Sequence, residues 1–270
     1  MRRSTAEIVR EYGPFPGVDH VHGVTYDGQH VWFAAGDRLI AFDPASGQTL
    51  RSIEVAGAQA GTTFDGRHLF QLTGDRIQKI DPNTGQVLAT IPAPGGGTDS
   101  GLAWHEGTLW VGQYRDRKIH QIDPQTGRVL ATIPAPGGGG DSGLTWAEGT
   151  LWVGQYRDRK IYQIDPQTGA ILRTIESNRF VTGVTWADGE LWHATWEEEQ
   201  SELRRLDPRT GEVLETLEMP PGVRISGLES DGGERFFCGG SGTGKVRVVR
   251  RPKRTSTGKG SGTPAGPAGG

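Results

Sequence analysis

A near-duplicate segment limits the possible folds more than any other feature of this sequence. Residues 91–132 read IPAPGGGTDSGLAWHEGTLWVGQYRDRKIHQIDPQTGRVLAT, and residues 133–174 follow directly with IPAPGGGGDSGLTWAEGTLWVGQYRDRKIYQIDPQTGAILRT. A repeat of about 40 residues is typical of a supersecondary unit that stacks on copies of itself, because one unit alone cannot bury its apolar faces. The number of copies therefore decides the architecture.

Four further segments carry the same pattern in weaker form. Each unit opens on a glycine, followed by two apolar runs separated by a short turn. The opening glycines are Gly23, Gly61, Gly101, Gly143, Gly183 and Gly227. The first five units continue into a third run, an Asp-Pro-x-x-Gly turn and a fourth run. Because Asp, Pro and Gly in this order favour tight turns, each unit is predicted to be a meander of four antiparallel strands.

Six such units predict an all-β fold, a single six-bladed β-propeller over residues 1–253. The sixth unit lacks a fourth strand after KVRVVRRPK, whereas AEIVREY near the N-terminus belongs to no unit. We expect this N-terminal strand to complete the last blade, which closes the ring and removes an open sheet edge. Residues 254–270, RTSTGKGSGTPAGPAGG, have little apolar content and are predicted to form a disordered tail.

Composition bears on the environment and the partners. The 270-residue chain has a net charge of −3, which favours no particular partner, and its one cysteine, Cys238, cannot form an intramolecular disulfide. The lone thiol and the lack of a signal-peptide core or an apolar run of about 18 residues favour a cytoplasmic protein that does not bind membranes. The basic residues near position 250 are explained more simply by a solvated terminus than by nucleic-acid binding. We expect a monomer.

One end of the predicted ring collects residues that hairpin geometry does not require. The residue before each opening glycine is expected at the channel mouth, which gives His22, Ala60, Ser100, Ser142, Thr182 and Ser226. With the neighbouring loops, the candidate ligand-binding residues are His20, His22, Asp99, Ser100, Tyr114, Asp141, Ser142, Tyr156, Arg179, Trp196 and Arg224. Convergent polar groups beside aromatic rings favour a site for a small molecule or peptide, and the two arginines suit an anionic group such as a carboxylate. The alternative is that these groups only hold water.

A divalent metal is the one cofactor that the residues suggest. The segment DHVHG places His20 and His22 two residues apart on a predicted strand, where both side chains can share a metal with a third ligand such as Asp99. The alternative is a pair of hydrogen-bonded channel histidines. A second motif, GGSGTGK at residues 239–245, is similar to a phosphate-binding loop. However, Val246 stands where such a loop has a Ser or Thr that holds Mg²⁺, and the segment is predicted to join two strands instead of opening a helix. We therefore assign this segment to a turn.

Several segments along the chain follow one another in the order seen in a known family. They are AEIVREYG, HGVTYDGQHVWFAAGD, DGRHLFQLTGDRIQKIDPNTG, GELWHATWEEEQSELRRLDPRTGEVLETLEM and SGLESDGGERFFCGG. This order resembles the glutamine cyclotransferase family, the plant-type and bacterial glutaminyl cyclases. The resemblance implies a propeller of five blades, where we count six units. It also implies an acidic residue at the end of the first blade's second strand, where this chain has Phe33 and Ala34.

A weaker likeness, through GTLWVGQYRDRKIHQIDPQTG, is to the streptogramin lyase propellers. That resemblance implies a metal site built from His and Glu, and His193 and Glu197 lie in a suitable unit.

The sequence leaves three functions open. The favoured one is a ligand-binding propeller of cyclotransferase-like ancestry, because the implied carboxylate, which would serve in proton transfer, is missing. The second is an active enzyme, either a cyclotransferase that uses other residues or a metal-dependent lyase. The third is a protein-interaction scaffold, since a propeller fold does not determine function.

Overall fold

The computed structural model describes residues 1–59, 61–113, 115–138, 141–240 and 242–253, with only the backbone described at positions 141 and 142. The described residues form strands joined by turns. In chain order the strands are β1 (Arg2–Thr5), β2 (Ile8–Tyr12), β3 (Val24–Tyr26), β4 (Val31–Ala34), β5 (Gly36–Phe42), β6 (Thr49–Ala58), β7 (Thr62–Phe64), β8 (Leu69–Thr73), β9 (Arg76–Ile80), β10 (Val87–Pro92), β11 (Asp99–His105), β12 (Thr108–Gln113), β13 (Lys118–Ile122), β14 (Val129–Pro134), β15 (Asp141–Ala147), β16 (Thr150–Gln155), β17 (Lys160–Ile164), β18 (Ile171–Glu176), β19 (Phe180–Ala187), β20 (Glu190–Glu197), β21 (Gln200–Leu206), β22 (Val213–Glu218), β23 (Gly227–Ser230), β24 (Arg235–Gly240) and β25 (Lys245–Arg250). No helix long and apolar enough to cross a membrane occurs in these ranges.

These strands form six sheets that are the blades of one ring. Blade 1 is β3–β6, blade 2 is β7–β10, blade 3 is β11–β14 and blade 4 is β15–β18. Blade 5 contains β19–β22, and blade 6 contains β23–β25. The innermost strand of each blade contacts the innermost strand of the next, and β23 contacts β3. The predicted all-β, six-bladed propeller is therefore confirmed.

The opening glycines let the innermost strands approach one another closely. A Cβ atom on Gly61 would lie 2.7 Å from the backbone nitrogen of Leu102, and one on Gly143 would lie 3.1 Å from that of Val184. Because the obstructing atoms are backbone, a side chain at these positions would force neighbouring blades apart. The repeated glycine that identified the units is thus a packing requirement of the ring.

The second strand of each blade explains the continuous apolar runs of the sequence. In β12 and β16, which both read TLWVGQ, every residue after the first is buried, because each blade lies between two others and both of its faces are covered. A short apolar run without alternation is typical of such a doubly covered strand. The Asp-Pro turns also form as predicted: in the first, the Gly47 N–H donates to the Asp43 carbonyl at 2.7 Å.

The N-terminal strand completes blade 6. Strand β2 pairs antiparallel with β25, with Ile8 opposite Val249 and Tyr12 opposite Val246. Tyr12 is 4% exposed, and its ring lies 4.5 Å from that of Phe42 in blade 1. The predicted closure by the N-terminal strand is therefore confirmed.

Strand β1 makes a second connection that the sequence did not predict. It pairs in parallel with β22 and gives blade 5 a fifth strand. The Arg3 guanidinium donates to Glu202 at 2.8 Å and also to Glu218. Arg2 forms an ion pair with Glu215 at 3.5 Å. Residues 2–12 therefore hold blades 5 and 6 together.

Candidate functional site

The six innermost strands surround a central channel with a cavity of about 720 Å³. This volume lies within the range of about 300–1,000 Å³ that is typical of small-molecule sites. Each blade contributes to its wall, and the polar residues there are His22, Gln59, Thr62, Thr63, Asp99, Ser100, Thr145, Thr182, Thr185, Ser226 and Glu229. No lysine or arginine occurs among the described lining residues. The channel can hold a small molecule, and the ionisable groups among its described lining residues are two carboxyls and a histidine.

Three of the predicted site residues, His22, Asp99 and Ser100, line this cavity. They stand at or next to the positions that precede an opening glycine, and their role in binding a ligand stays a prediction. The hydroxyl groups here differ in their partners: that of Ser226 donates to the Val21 carbonyl at 2.7 Å, that of Ser100 lies 3.5 Å from the Gly112 carbonyl, and that of Thr182 has no partner among the described residues.

Asp99 is a buried carboxyl in the channel wall. Its side chain belongs to blade 3, and the residue is 8% exposed. Oδ2 accepts a hydrogen bond from the Gly95 N–H at 3.0 Å, whereas Oδ1 has no partner among the described residues. Burial raises the pKa of this carboxyl to about 6, because its charged form loses hydration. An incompletely satisfied carboxyl at a cavity is a feature of a binding site.

The two predicted metal ligands differ in their surroundings. His22 lines the cavity, whereas His20 is exposed, and the two ring centroids are 6.0 Å apart. Burial, and then the neighbouring His20, lower the pKa of His22 below its usual 6.5. No group of three or more His, Cys, Asp or Glu side chains suited to a metal occurs in the described part of the chain. The histidine pair therefore has no third protein ligand there.

Glu229 is a channel residue that the sequence pattern did not predict as a site residue. Its carboxylate accepts from the Ser230 N–H at 2.8 Å, and the hydroxyls of Thr25 and Thr185 lie 3.4 and 3.5 Å away. Burial raises its pKa to about 7. The signal that could have revealed it is its register: it stands two residues after an opening glycine, where the other units have Thr25, Thr63, Ala103, Thr145 and Thr185.

Four other predicted residues form a separate group beside the channel, on blades 4–6. The Arg224 guanidinium lies 4.1 Å from the ring centre of Trp196, and Tyr156 stacks on Phe180 at 4.7 Å. Arg179 forms an ion pair with Glu202 at 3.7 Å. None of the four predicted residues in this group lines the described cavity. In the described structure the two arginines lie apart from the cavity that His22 lines, one engaged by a carboxylate and the other by an indole ring, and an anion site that joins them to His22 stays a prediction.

Some predictions fall outside the described structure. These are Tyr114, Ala60, the side chains of Asp141 and Ser142, and the predicted tail at 254–270.

The residues implied by the two family resemblances do not reach the channel. Phe33 and Ala34 are fully buried, and the ring of Phe33 lies 4.7 Å from that of Phe15. The position of the expected catalytic acid is thus part of the apolar core. In the lyase-like pair, His193 is 1% exposed and burial lowers its pKa to about 3, while Glu197 forms an ion pair with Arg159 at 3.0 Å. In the described structure His193 is thus enclosed within its blade and Glu197 is engaged by an arginine, and the metal site that the lyase resemblance implies stays a prediction.

The blades and the channel define the class of this protein: a six-bladed β-propeller with a polar central cavity. The chain belongs to the PQQ_2 family, described as outer membrane protein assembly factor BamB, whose pattern matches residues 7–134, 73–204 and 115–254. The three matches overlap, as expected when a repeat pattern fits in more than one register. No curated protein sequence matches this chain.

Solved structures agree on the fold. One similar chain, from "Crystal Structure of Mitotic Checkpoint Complex", has a TM-score of 0.67 and 14% identity, and the match covers 93% of both chains. At this identity the likeness shows the fold alone. Because 1475 chains in solved structures match, the fold does not select one function.

Proposed function

We propose that this protein is a binding propeller that holds a small molecule, or the end of a peptide, in its central channel. The observation that carries the proposal is Asp99, a buried carboxyl with an unpartnered oxygen in the wall of a cavity of about 720 Å³. Convergent polar groups fix a ligand's orientation in small-molecule sites, and every blade contributes such a group to this cavity. The family description supports a binding role, because it names an assembly factor. The cytoplasmic location and the monomeric state remain predictions.

Replacement Asp99→Asn is expected to weaken binding at least about tenfold, because it changes a charge-bearing acceptor into an amide. A thermal-shift screen first identifies a ligand, which adds about 2.7 kcal/mol of apparent stability at a hundred times its Kd. Calorimetry then compares the wild type with Asp99→Asn and with Asp188→Asn. Asp188 is the matched control, because its side chain is 61% exposed at the turn between β19 and β20. If binding is lost with Asp188→Asn and retained with Asp99→Asn, the site lies elsewhere.

The finer proposal is that the channel derives from a glutamine cyclotransferase-like ancestor without the activity. It is supported by the resemblance and by the burial of Phe33 in the aromatic core of blade 1. We therefore expect no ammonia release from glutaminyl peptides, with an active glutaminyl cyclase as the positive control. Turnover that persists through purification and is lost with Asp99→Asn would instead establish the enzyme alternative, with the acid supplied by another blade.

A protein-interaction scaffold is the second candidate. Arg224, which is exposed, lies over Trp196, while Tyr156 stacks on Phe180 nearby on the same group of blades. Arg, Trp and Tyr are the residues most enriched in the energetic centres of protein interfaces. Loss of a partner on Arg224→Ala, with channel ligands still bound, would support this function.

A further inference from the structure

Glu229 is a carboxylate whose capacity to accept hydrogen bonds is not filled. An ionised carboxylate accepts about four hydrogen bonds. Among the described residues, the Ser230 N–H is the one donor to Glu229 at a normal distance, 2.8 Å, while the hydroxyls of Thr25 and Thr185, at 3.4 and 3.5 Å, are beyond the usual O–H···O range of about 2.5–3.0 Å. No basic side chain of the described residues forms an ion pair with Glu229. A buried carboxylate with so few partners is costly while it is ionised, and a ligand that supplies the missing donors removes that cost.

The surroundings of Glu229 favour ligands that donate hydrogen bonds. At the same level of the ring, two residues after the opening glycine, the other blades have four threonines and one alanine. The ionisable groups among the described lining residues are His22, Asp99 and Glu229. Because His22 is neutral, the channel is negative at any pH at which Asp99 and Glu229 are ionised. A channel with low-dielectric walls concentrates that potential. The electrostatics therefore favour a cation.

The two carboxyls lie at different depths and on opposite walls. Asp99 precedes its opening glycine, Gly101, by two residues, whereas Glu229 follows Gly227 by two. A strand rises about 3.3 Å per residue, and a β-bulge between Asp99 and Gly101 takes up one of the four positions, so the offset corresponds to roughly 10 Å along the channel. Blades 3 and 6 are opposite in a ring of six. A compact cation cannot contact both carboxyls, whereas an elongated one can.

We infer that the channel binds an elongated organic dication, with one protonated amino group at Glu229 and the second at Asp99. This inference rests on the proposed function, because it takes the channel as the ligand site, and it specifies the chemical class of the ligand. Asp99, 8% exposed and with Oδ1 unpartnered, is the second, independent observation that points to a ligand in the same cavity. Ammonium groups suit both ends, because a charge-assisted hydrogen bond to a carboxylate is stronger than a neutral one.

Calorimetry with two matched probes tests the inference. Diaminooctane has an amino group at each end of an eight-carbon chain, and octylamine has one. We expect the wild type to bind diaminooctane at least about tenfold more tightly than octylamine, since only the diamine reaches both carboxyls. Glu229→Gln and Asp99→Asn should each reduce diamine affinity to the level of the monoamine. Glu212→Gln, at an exposed glutamate of an Asp-Pro turn, is the control and should bind like the wild type.

The outcomes separate this inference from the proposed function. Equal affinity for the two probes, or diamine binding unchanged by Glu229→Gln, overturns the dication assignment. If diaminooctane does not bind while a ligand from the thermal-shift screen binds in an Asp99-dependent manner, the dication assignment is wrong and the proposed function stands. If no ligand of any class binds in the channel, both are wrong. Far-UV circular dichroism of each variant first establishes that it is folded.

Discussion

Deletion of residues 1–12 is expected to abolish stable folding of the ring. The deletion removes the outer strand of blade 6 and the fifth strand of blade 5 together, so that β25 and β22 both become open edges. Tyr12 is buried against Phe42, and its hydroxyl donates to the Pro44 carbonyl. Loss of one buried aromatic side chain costs about 3–5 kcal/mol, and whole domains are stable by only about 5–15 kcal/mol.

Thermal and urea denaturation of the truncated chain measure this effect. The matched control is deletion of residues 254–270, which the sequence predicts to be a tail without packed structure, and it should melt like the full chain. A synthetic peptide of residues 1–12, added in trans, should restore part of the lost stability by occupying both edges. A truncated protein that melts at the temperature of the full chain would show that neither strand contributes to closure.

Replacement Glu229→Gln should make the protein more stable, and only at high pH. The pKa of Glu229 is about 7 in the folded protein and near its ordinary 4.5 in the unfolded chain. Between these values the folded state holds a proton that the unfolded state has released, so stability falls as the pH rises through this window. A shift of this size corresponds to at most roughly 3 kcal/mol. Because glutamine does not ionise, the Glu229→Gln variant does not lose this part of its free energy of unfolding as the pH rises.

Urea denaturation at pH 4.5 and pH 8 tests this prediction. The free energy of unfolding of Glu229→Gln should equal that of the wild type at the lower pH and exceed it at the higher one. Glu212→Gln, whose side chain is at the surface, should match the wild type at both. An equal gain at both values would show that the carboxyl acts through packing rather than ionisation. A residue that destabilises the empty protein, as expected here, is typical of sites selected for binding.

The fold could be predicted because its information is local and repeated. The opening glycine marks the close approach of neighbouring innermost strands, and the Asp-Pro-x-x-Gly segment marks the turn between the third and fourth strands. Six opening glycines therefore indicate six blades. Strand β1 could not be predicted in this way. Arg2–Thr5 has no apolar pattern, and it is held by ion pairs with Glu202, Glu215 and Glu218 far along the chain. Only the folded arrangement brings those charges together.

The sequence places a candidate residue in the channel wall when its backbone position alone decides this. It does not do so when contacts with other side chains decide where the residue lies. His22, Asp99 and Ser100 line the cavity because the strand register places them there. Arg179 and Arg224 were expected to join them, but the ion pair with Glu202 and the stacking on Trp196 hold them elsewhere. Glu229 was overlooked because the following Ser-Asp-Gly-Gly suggests a turn, although comparison across the units shows a glutamate where threonine is usual.

The pairing of β1 and β2 with late strands also determines when the ring can close during synthesis. Arg3 and its partner Glu218 are 215 residues apart. At roughly 5–20 residues per second, a ribosome takes about 10–40 seconds to make that interval. For this time residues 2–12 have no partner strand, while blades 1–4 can already form from contiguous chain. The nascent protein is therefore an open arc of blades that becomes a ring only when its last strands emerge.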